Sequence, residues 1–171
     1  REVCVPLPGG TSTPPPSGAG TISVTKECDP AVPTGATNNW GAGQDQGGGG
    51  PQPTHQAICR VTVIGSGSLP PTIELTESMM SWAPAAGSPM QINLSNMTSP
   101  QNWQFPQFPV GQGSSTSMPG SPYAGAPVIA TLSSAELLAA GGQSTITVTA
   151  QFMNAGWVSE AQNCVQASGV S

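Results

Sequence analysis

Four cysteines, Cys4, Cys28, Cys59 and Cys164, carry the chemistry that is easiest to place in this chain of 171 residues. They form an even set without Cys-x-x-Cys spacing, and His55 is the sole imidazole that could join them around a metal. Two disulfides are therefore expected rather than a metal site. Four cysteines permit three pairings. The pairing expected here is Cys28 with Cys59, stapling a long Gly-rich loop to its flanking strands, and Cys4 with Cys164, tying the beginning of the chain to its last strand. In the chain-entropy model, closing a loop of the first size stabilises a domain by ~3 to 4 kcal/mol.

The remaining reactive side chains make no catalytic set. Acyl transfer needs a nucleophile beside a base, but His55 lies in a Pro/Gly-rich stretch, and Gly65-Ser66-Gly67-Ser68 is not a nucleophile elbow. Glycoside hydrolysis needs two carboxylates facing one sugar. Glu74 and Glu77 are the close pair, yet in a strand they point to opposite faces, and a solvated pair is expected. Calcium needs clustered oxygen ligands, whereas Asp29 and Asp45 stand alone in the sequence. No catalytic residue, cofactor or metal is expected.

Two further groups bear on binding. Trp103, Phe105, Phe108 and Tyr123 could present flat apolar faces to a sugar or a partner surface, or they could cap the open end of a core; the cap is the preferred reading. Asn93-Leu94-Ser95 and Asn96-Met97-Thr98 match the N-glycosylation pattern.

Composition narrows the setting. Charged residues make up 6% of the chain, against about 25% in ordinary soluble domains, so the surface must be built from Ser, Thr, Gln, Asn and Gly. The net charge is −5, and the basic residues Arg1, Lys26 and Arg60 are scattered. Nucleic acid, which needs a basic footprint, is excluded as a partner. Apolar runs break well short of the ~20 residues that span a bilayer, so no transmembrane segment is expected. Scarce charge, disulfides and a start at Arg1 rather than Met together suggest a processed, secreted protein.

The elements that would hold these residues are mostly strands. Period-two alternation marks strands at residues 21–26, 57–64, 72–76, 91–94, 128–132 and 144–152, with a last short one at Cys164 and Val165. Residues 133–140 read as one short helix, with Ser133 or Ser134 as N-cap, Glu136 in the first turn and Gly141-Gly142 after it. Residues 29–54, with Trp40 and the Gly47–Gly50 run, and residues 95–127 read as long loops. Seven or eight strands between turn-rich segments argue for an all-β fold, an antiparallel two-layer sandwich spanning residues 21–171. Residues 1–20 read as an arm with a Pro14–Pro16 spacer. Its row of Val3, Val5 and Leu7 could complete a neighbour's sheet edge by β-augmentation, or fold back on its own sheet.

The segments Ile22-Ser23-Val24-Thr25-Lys26-Glu27-Cys28-Asp29-Pro30, Cys59-Arg60-Val61-Thr62-Val63, Ala139 to Val148 and Asn163-Cys164-Val165 resemble, in that order, parts of a conserved-repeat domain of unknown function found on bacterial surface proteins. The resemblance covers the ends of the domain and not its middle, where the loop before Cys59 and the segment near Trp103 are longer. It implies an immunoglobulin-like sandwich in an extracellular setting, and no catalytic residues. The expected function is thus a non-enzymatic structural protein of a cell-surface assembly such as a filament, sheath or layer. Its expected partners are copies of itself or other surface proteins. The alternative is a carbohydrate- or cell-binding adhesin module using residues 103–123.

Overall fold

Alternation along each strand dictates the architecture, because it gives every long strand one apolar face that must be covered. A computed structural model describes residues 2–12, 20–34, 55–82, 89–108, 110–116, 122–124, 127–152 and 162–171. In chain order the elements are β1 (Val3–Pro6), β2 (Gly10–Thr11), β3 (Thr21–Cys28), β4 (Val32–Pro33), β5 (His55–Ser66), β6 (Thr72–Trp82), β7 (Pro89–Thr98), β8 (Val110–Thr116), β9 (Pro122–Ala124), β10 (Val128–Ser133), α1 (Ser134–Ala139), β11 (Gln143–Phe152) and β12 (Gln162–Val170).

The strands form two antiparallel sheets. One runs β1-β12-β6-β10, with β9 also paired to β6; the other runs β2-β3-β5-β11-β7-β8, with β4 also paired to β5. The late strand β11 lies between the early strands β5 and β7, the interleaving by which immunoglobulin-like sandwiches tie distant parts of a chain together. The fold class expected from the sequence is the one observed. The strand count is higher because β2, β4, β8 and β9 form in Gly/Pro-rich stretches that show no period-two pattern. Their backbone groups are drawn into pairing by a neighbouring ladder rather than by an apolar face of their own.

The core lies between the sheets. In β5 every second residue from Ala57 to Gly65 is buried, and β11 answers with Ile146, Val148 and Ala150. From the other sheet come Ile73, Leu75 and Met79 of β6 and Val128, Ala130 and Leu132 of β10. A register shift opposite Thr149 and Ala150 lets both Leu94 and Met97 of β7 turn inward despite their odd spacing. Helix α1 closes one end with Leu137, fully buried. The Ser133 hydroxyl accepts from the Glu136 N–H at 3.1 Å. At the far end the Gly142 N–H reaches the Leu137 carbonyl at 2.9 Å and the Gly141 N–H reaches Leu138 at 3.1 Å, a Schellman cap made possible by positive φ at both glycines.

The N-terminal arm differs from the expectation of a separate contact element. β1 pairs with β12, matching Val5 with Asn163 and Cys4 with Cys164, and β2 pairs with β3. Val5 and Leu7 are 0% exposed and belong to the core, while Val3 packs against it partly buried. The row of apolar side chains completes an edge of its own sandwich, the fold-back arrangement, with Val5 and Leu7 in the core of the same chain. The Pro14–Pro16 spacer lies outside the described residues, as do Trp40, Asp45 and the Gly47–Gly50 run. Among the described residues, no helix is long and apolar enough to cross a membrane.

Candidate functional site: a buried lysine, glutamate and asparagine

Three polar side chains stand in positions that alternation reserves for the core. On β3 the inward row is Val24, Lys26, Cys28; on β6 it is Ile73, Leu75, Glu77, Met79; on β12, Asn163 and Val165 are both buried. β6 and β12 are neighbours in one sheet, with Glu77 opposite Val165 and Asn163 opposite Met79, which leaves Glu77 and Asn163 diagonal to each other on one face. β3 belongs to the other sheet and packs across the core against β12.

Lys26 Nζ donates to Glu77 Oε1 at 2.7 Å, and Asn163 Nδ2 donates to Glu77 Oε2 at 2.7 Å. One carboxylate thus holds an amine on one oxygen and a carboxamide on the other. Asn163 Nδ2 also donates to the Ser78 carbonyl at 3.0 Å. Asn163 Oδ1, buried as well, accepts no hydrogen bond from the described residues. The side chains of Lys26 and Glu77 are 0% exposed. The surroundings are dry: Val5 lies opposite Asn163 across β1 and β12, and Val128 lies opposite Glu77 across β10 and β6.

Burial governs the protonation of this cluster. Loss of solvent is the largest influence on both partners, pulling the Lys26 ammonium below its ordinary value and pushing the Glu77 carboxyl above its own. Their mutual attraction and hydrogen bond oppose these shifts without reversing them. Burial thus favours the neutral form of each group, the amine on Lys26 and the carboxylic acid on Glu77.

Both disulfides flank the cluster. Cys4 bonds Cys164, next to Asn163, and Cys28 bonds Cys59, two residues beyond Lys26 on the same row. Each pair is formed by directly opposed residues of neighbouring strands. The two Cα–Cα separations are 4.1 and 4.0 Å. Glu2, Cys4 and Cys164 lie close together, but their sulfurs are spent on the disulfide, so no thiolate is left to bind a metal.

Several residues singled out in the sequence lie elsewhere than expected. Glu77 is not solvated; only Glu74 of that pair faces outward, half-buried. Asp29 is not isolated, since Arg60 reaches it with two nitrogens at 2.8 and 3.2 Å and Glu27 with a third at 2.7 Å. That group sits on the exposed outer face of β3 and β5, where hydrogen bonding to Arg60 draws the Asp29 carboxyl below its ordinary value. His55 begins β5 rather than lying in a loop.

Of the four aromatic residues, Trp103 is not a surface ring. Trp103 is 5% exposed, and its indole N–H donates to the Ser144 hydroxyl at 2.9 Å, which in turn donates to Gln101. Phe105 and Phe108 pack against the core. Tyr123 lies in β9, opposite Ser81. In β7, Asn96 is exposed and Asn93 pairs with Gln151 and Gly111.

The sequence held a signal for the buried cluster. Ile22 and Val24 set the parity of β3, and the same parity carries Lys26 inward; Ile73 and Leu75 do so for Glu77. A lysine and a glutamate, each in phase with the apolar row of its strand, mark a buried pair.

Fold and site together define a disulfide-clamped antiparallel sandwich with a Lys-Glu-Asn cluster sealed in its core. The chain matches no protein-family model and no curated protein.

Proposed function

We propose that this chain is a structural module of an extracellular cell-surface assembly, a filament, sheath or layer subunit or a protein decorating one, with no substrate to turn over. The observation that carries the reading is the covalent clamping of a low-charge sandwich: Cys4–Cys164 joins β1 to β12 and Cys28–Cys59 joins β3 to β5. Such bonds persist where the environment is oxidising. A surface of Ser, Thr, Gln, Asn and Gly with 6% charged residues suits a module that lies against others rather than one that must stay apart by repulsion. The bacterial surface-repeat resemblance points the same way. Burial of Trp103 counts against the adhesin alternative, because a ring inside the core cannot stack on a sugar. Electron microscopy of native material tests the proposal. Ordered polymers or layers containing the chain are expected; dispersed particles that bind a glycan array would replace the structural reading with the adhesin one.

A further inference from the structure

The two disulfides each join neighbouring strands within one sheet. Neither ties the two sheets to each other. The Lys26, Glu77 and Asn163 cluster is where such a tie can be made, because Lys26 belongs to one sheet and Asn163 to the other, and both are held on a single carboxylate at 2.7 Å. As a static device the cluster is poor: a buried ion pair contributes little over an apolar replacement, and this one leaves the Asn163 carbonyl oxygen buried without a donor. As a set of reactants it is complete, with an amine, a carboxamide, and a proton carrier between them.

We propose that Lys26 and Asn163 condense into an intramolecular isopeptide bond, with Glu77 carrying the proton. The Lys26 Nζ lone pair attacks Cγ of Asn163, and the Nζ–Cγ bond forms as the carbonyl electrons move onto Oδ1. Glu77 accepts a proton from Nζ on one oxygen and delivers one to Nδ2 from the other. The Cγ–Nδ2 bond then breaks with its electron pair leaving on nitrogen, and ammonia departs. One primary amine and one primary amide become one secondary amide and one ammonia; nothing is oxidised or reduced, and Glu77 ends as it began.

Three physical features favour the step. The apolar surroundings favour the unprotonated, nucleophilic amine over the ammonium that water favours. The strands hold the reactants in place, which in well-oriented intramolecular reactions is equivalent to about 10⁵ to 10⁸ M of reactant. The unpartnered Oδ1 is open to a hydrogen bond from the Glu77 carboxyl as negative charge develops on it. The product would continue a covalent path from β1 through Cys4–Cys164 to β12, across the core to β3, and on through Cys28–Cys59 to β5. It is a single event within one chain and does not depend on the assembly role proposed above.

Intact-mass measurement of the denatured, reduced wild-type protein tests the proposal. The chain should be lighter than its sequence by one ammonia, trypsin should fail to cut after Lys26, and a branched peptide should join Lys26 to Asn163. Glu77→Gln should retain the full mass. Asn163→Asp should lose water instead and reach the same product mass. Lys26→Arg should retain the full mass, separating the cross-link from a cyclised asparagine. A wild-type chain of full mass, cut after Lys26, would overturn the proposal whatever the variants do. A loss of ammonia that survived Lys26→Arg would overturn it too, and a loss that survived Glu77→Gln would remove Glu77 from the step.

Discussion

Deleting the Cys4–Cys164 disulfide with Cys4→Ala/Cys164→Ala should cost less in the wild-type chain than in a Glu77→Gln chain that cannot form the Lys26–Asn163 bond. The two cysteines are 160 positions apart. In an otherwise open chain, closing a loop of that size removes enough unfolded-state entropy to stabilise the fold by about 5 kcal/mol. With Lys26 already joined to Asn163, the disulfide closes a much shorter ring. It spans the 22 positions from Cys4 to Lys26 and the one from Asn163 to Cys164, and for that ring the same relation gives about 3.5 kcal/mol. Loss of the sulfurs' packing is common to both backgrounds and cancels in the comparison, leaving a coupling of about 1.5 kcal/mol. Cys28–Cys59 is the internal control, because its 31-position loop lies wholly inside the Lys26–Asn163 ring. Its removal should cost about 3.7 kcal/mol of loop entropy in either background. Guanidinium unfolding followed by tryptophan fluorescence measures all of these. Equal costs for the Cys4–Cys164 deletion in the two backgrounds would refute the topological reasoning.

Four further outcomes follow from the packing. Leu7→Ala should destabilise the domain by about 2 to 5 kcal/mol in thermal unfolding, and deletion of residues 1–10 should compromise folding rather than yield a well-folded monomer, since Leu7 is fully buried. Trp103→Ala should cost about 3 to 5 kcal/mol; a change near zero in calorimetry would mean that the ring is not core. Gly141 and Gly142 have similar positive φ, 84° and 81°, so alanine at either carries about 1 to 2 kcal/mol of backbone strain. At Gly142 the new Cβ would also stand 2.7 Å from the Gly65 carbonyl oxygen, while at Gly141 it meets nothing within 4 Å. Gly142→Ala should therefore lower the midpoint clearly further than Gly141→Ala. Finally, an uncross-linked chain such as Asn163→Ala should show a stability plateau around neutral pH. Glu77, raised, loses stabilising effect as pH climbs from its unfolded toward its folded value, and Lys26, lowered, gains it over its own interval. Where these intervals overlap the slopes cancel, because the folded and unfolded pairs each hold one proton. On either side of the plateau stability should rise, toward the ordinary carboxyl value of 4.5 on the acid side and toward the ordinary lysine value of 10.5 on the alkaline side, with no further contribution from the pair beyond them. A monotonic slope across pH 6 to 9 in urea titrations, attributable to this pair, would contradict the assignment.

Much of the architecture was legible in the residues themselves. Alternation located β3, β5, β6, β10 and β11, because a strand with one wet and one dry face must alternate whatever it packs on. Helix α1 was readable from local chemistry alone, since a serine cap, a first-turn glutamate and paired glycines act over a few residues. The short strands β2, β4 and β9 were not readable, as their pairing depends on a neighbour's free edge and not on any pattern of their own. The parity of Lys26 and Glu77 was also present in the sequence, and it places each side chain in the core separately. Parity says nothing about which inward residue meets which. Residues 26, 77 and 163 are far apart along the chain, and only the stacking of the two sheets brings an amine, a carboxyl and a carboxamide to one dry point. The place of the N-terminal arm was decided the same way: the apolar row of Val5 and Leu7 demanded burial, and the edge of β12 within the same molecule supplies it.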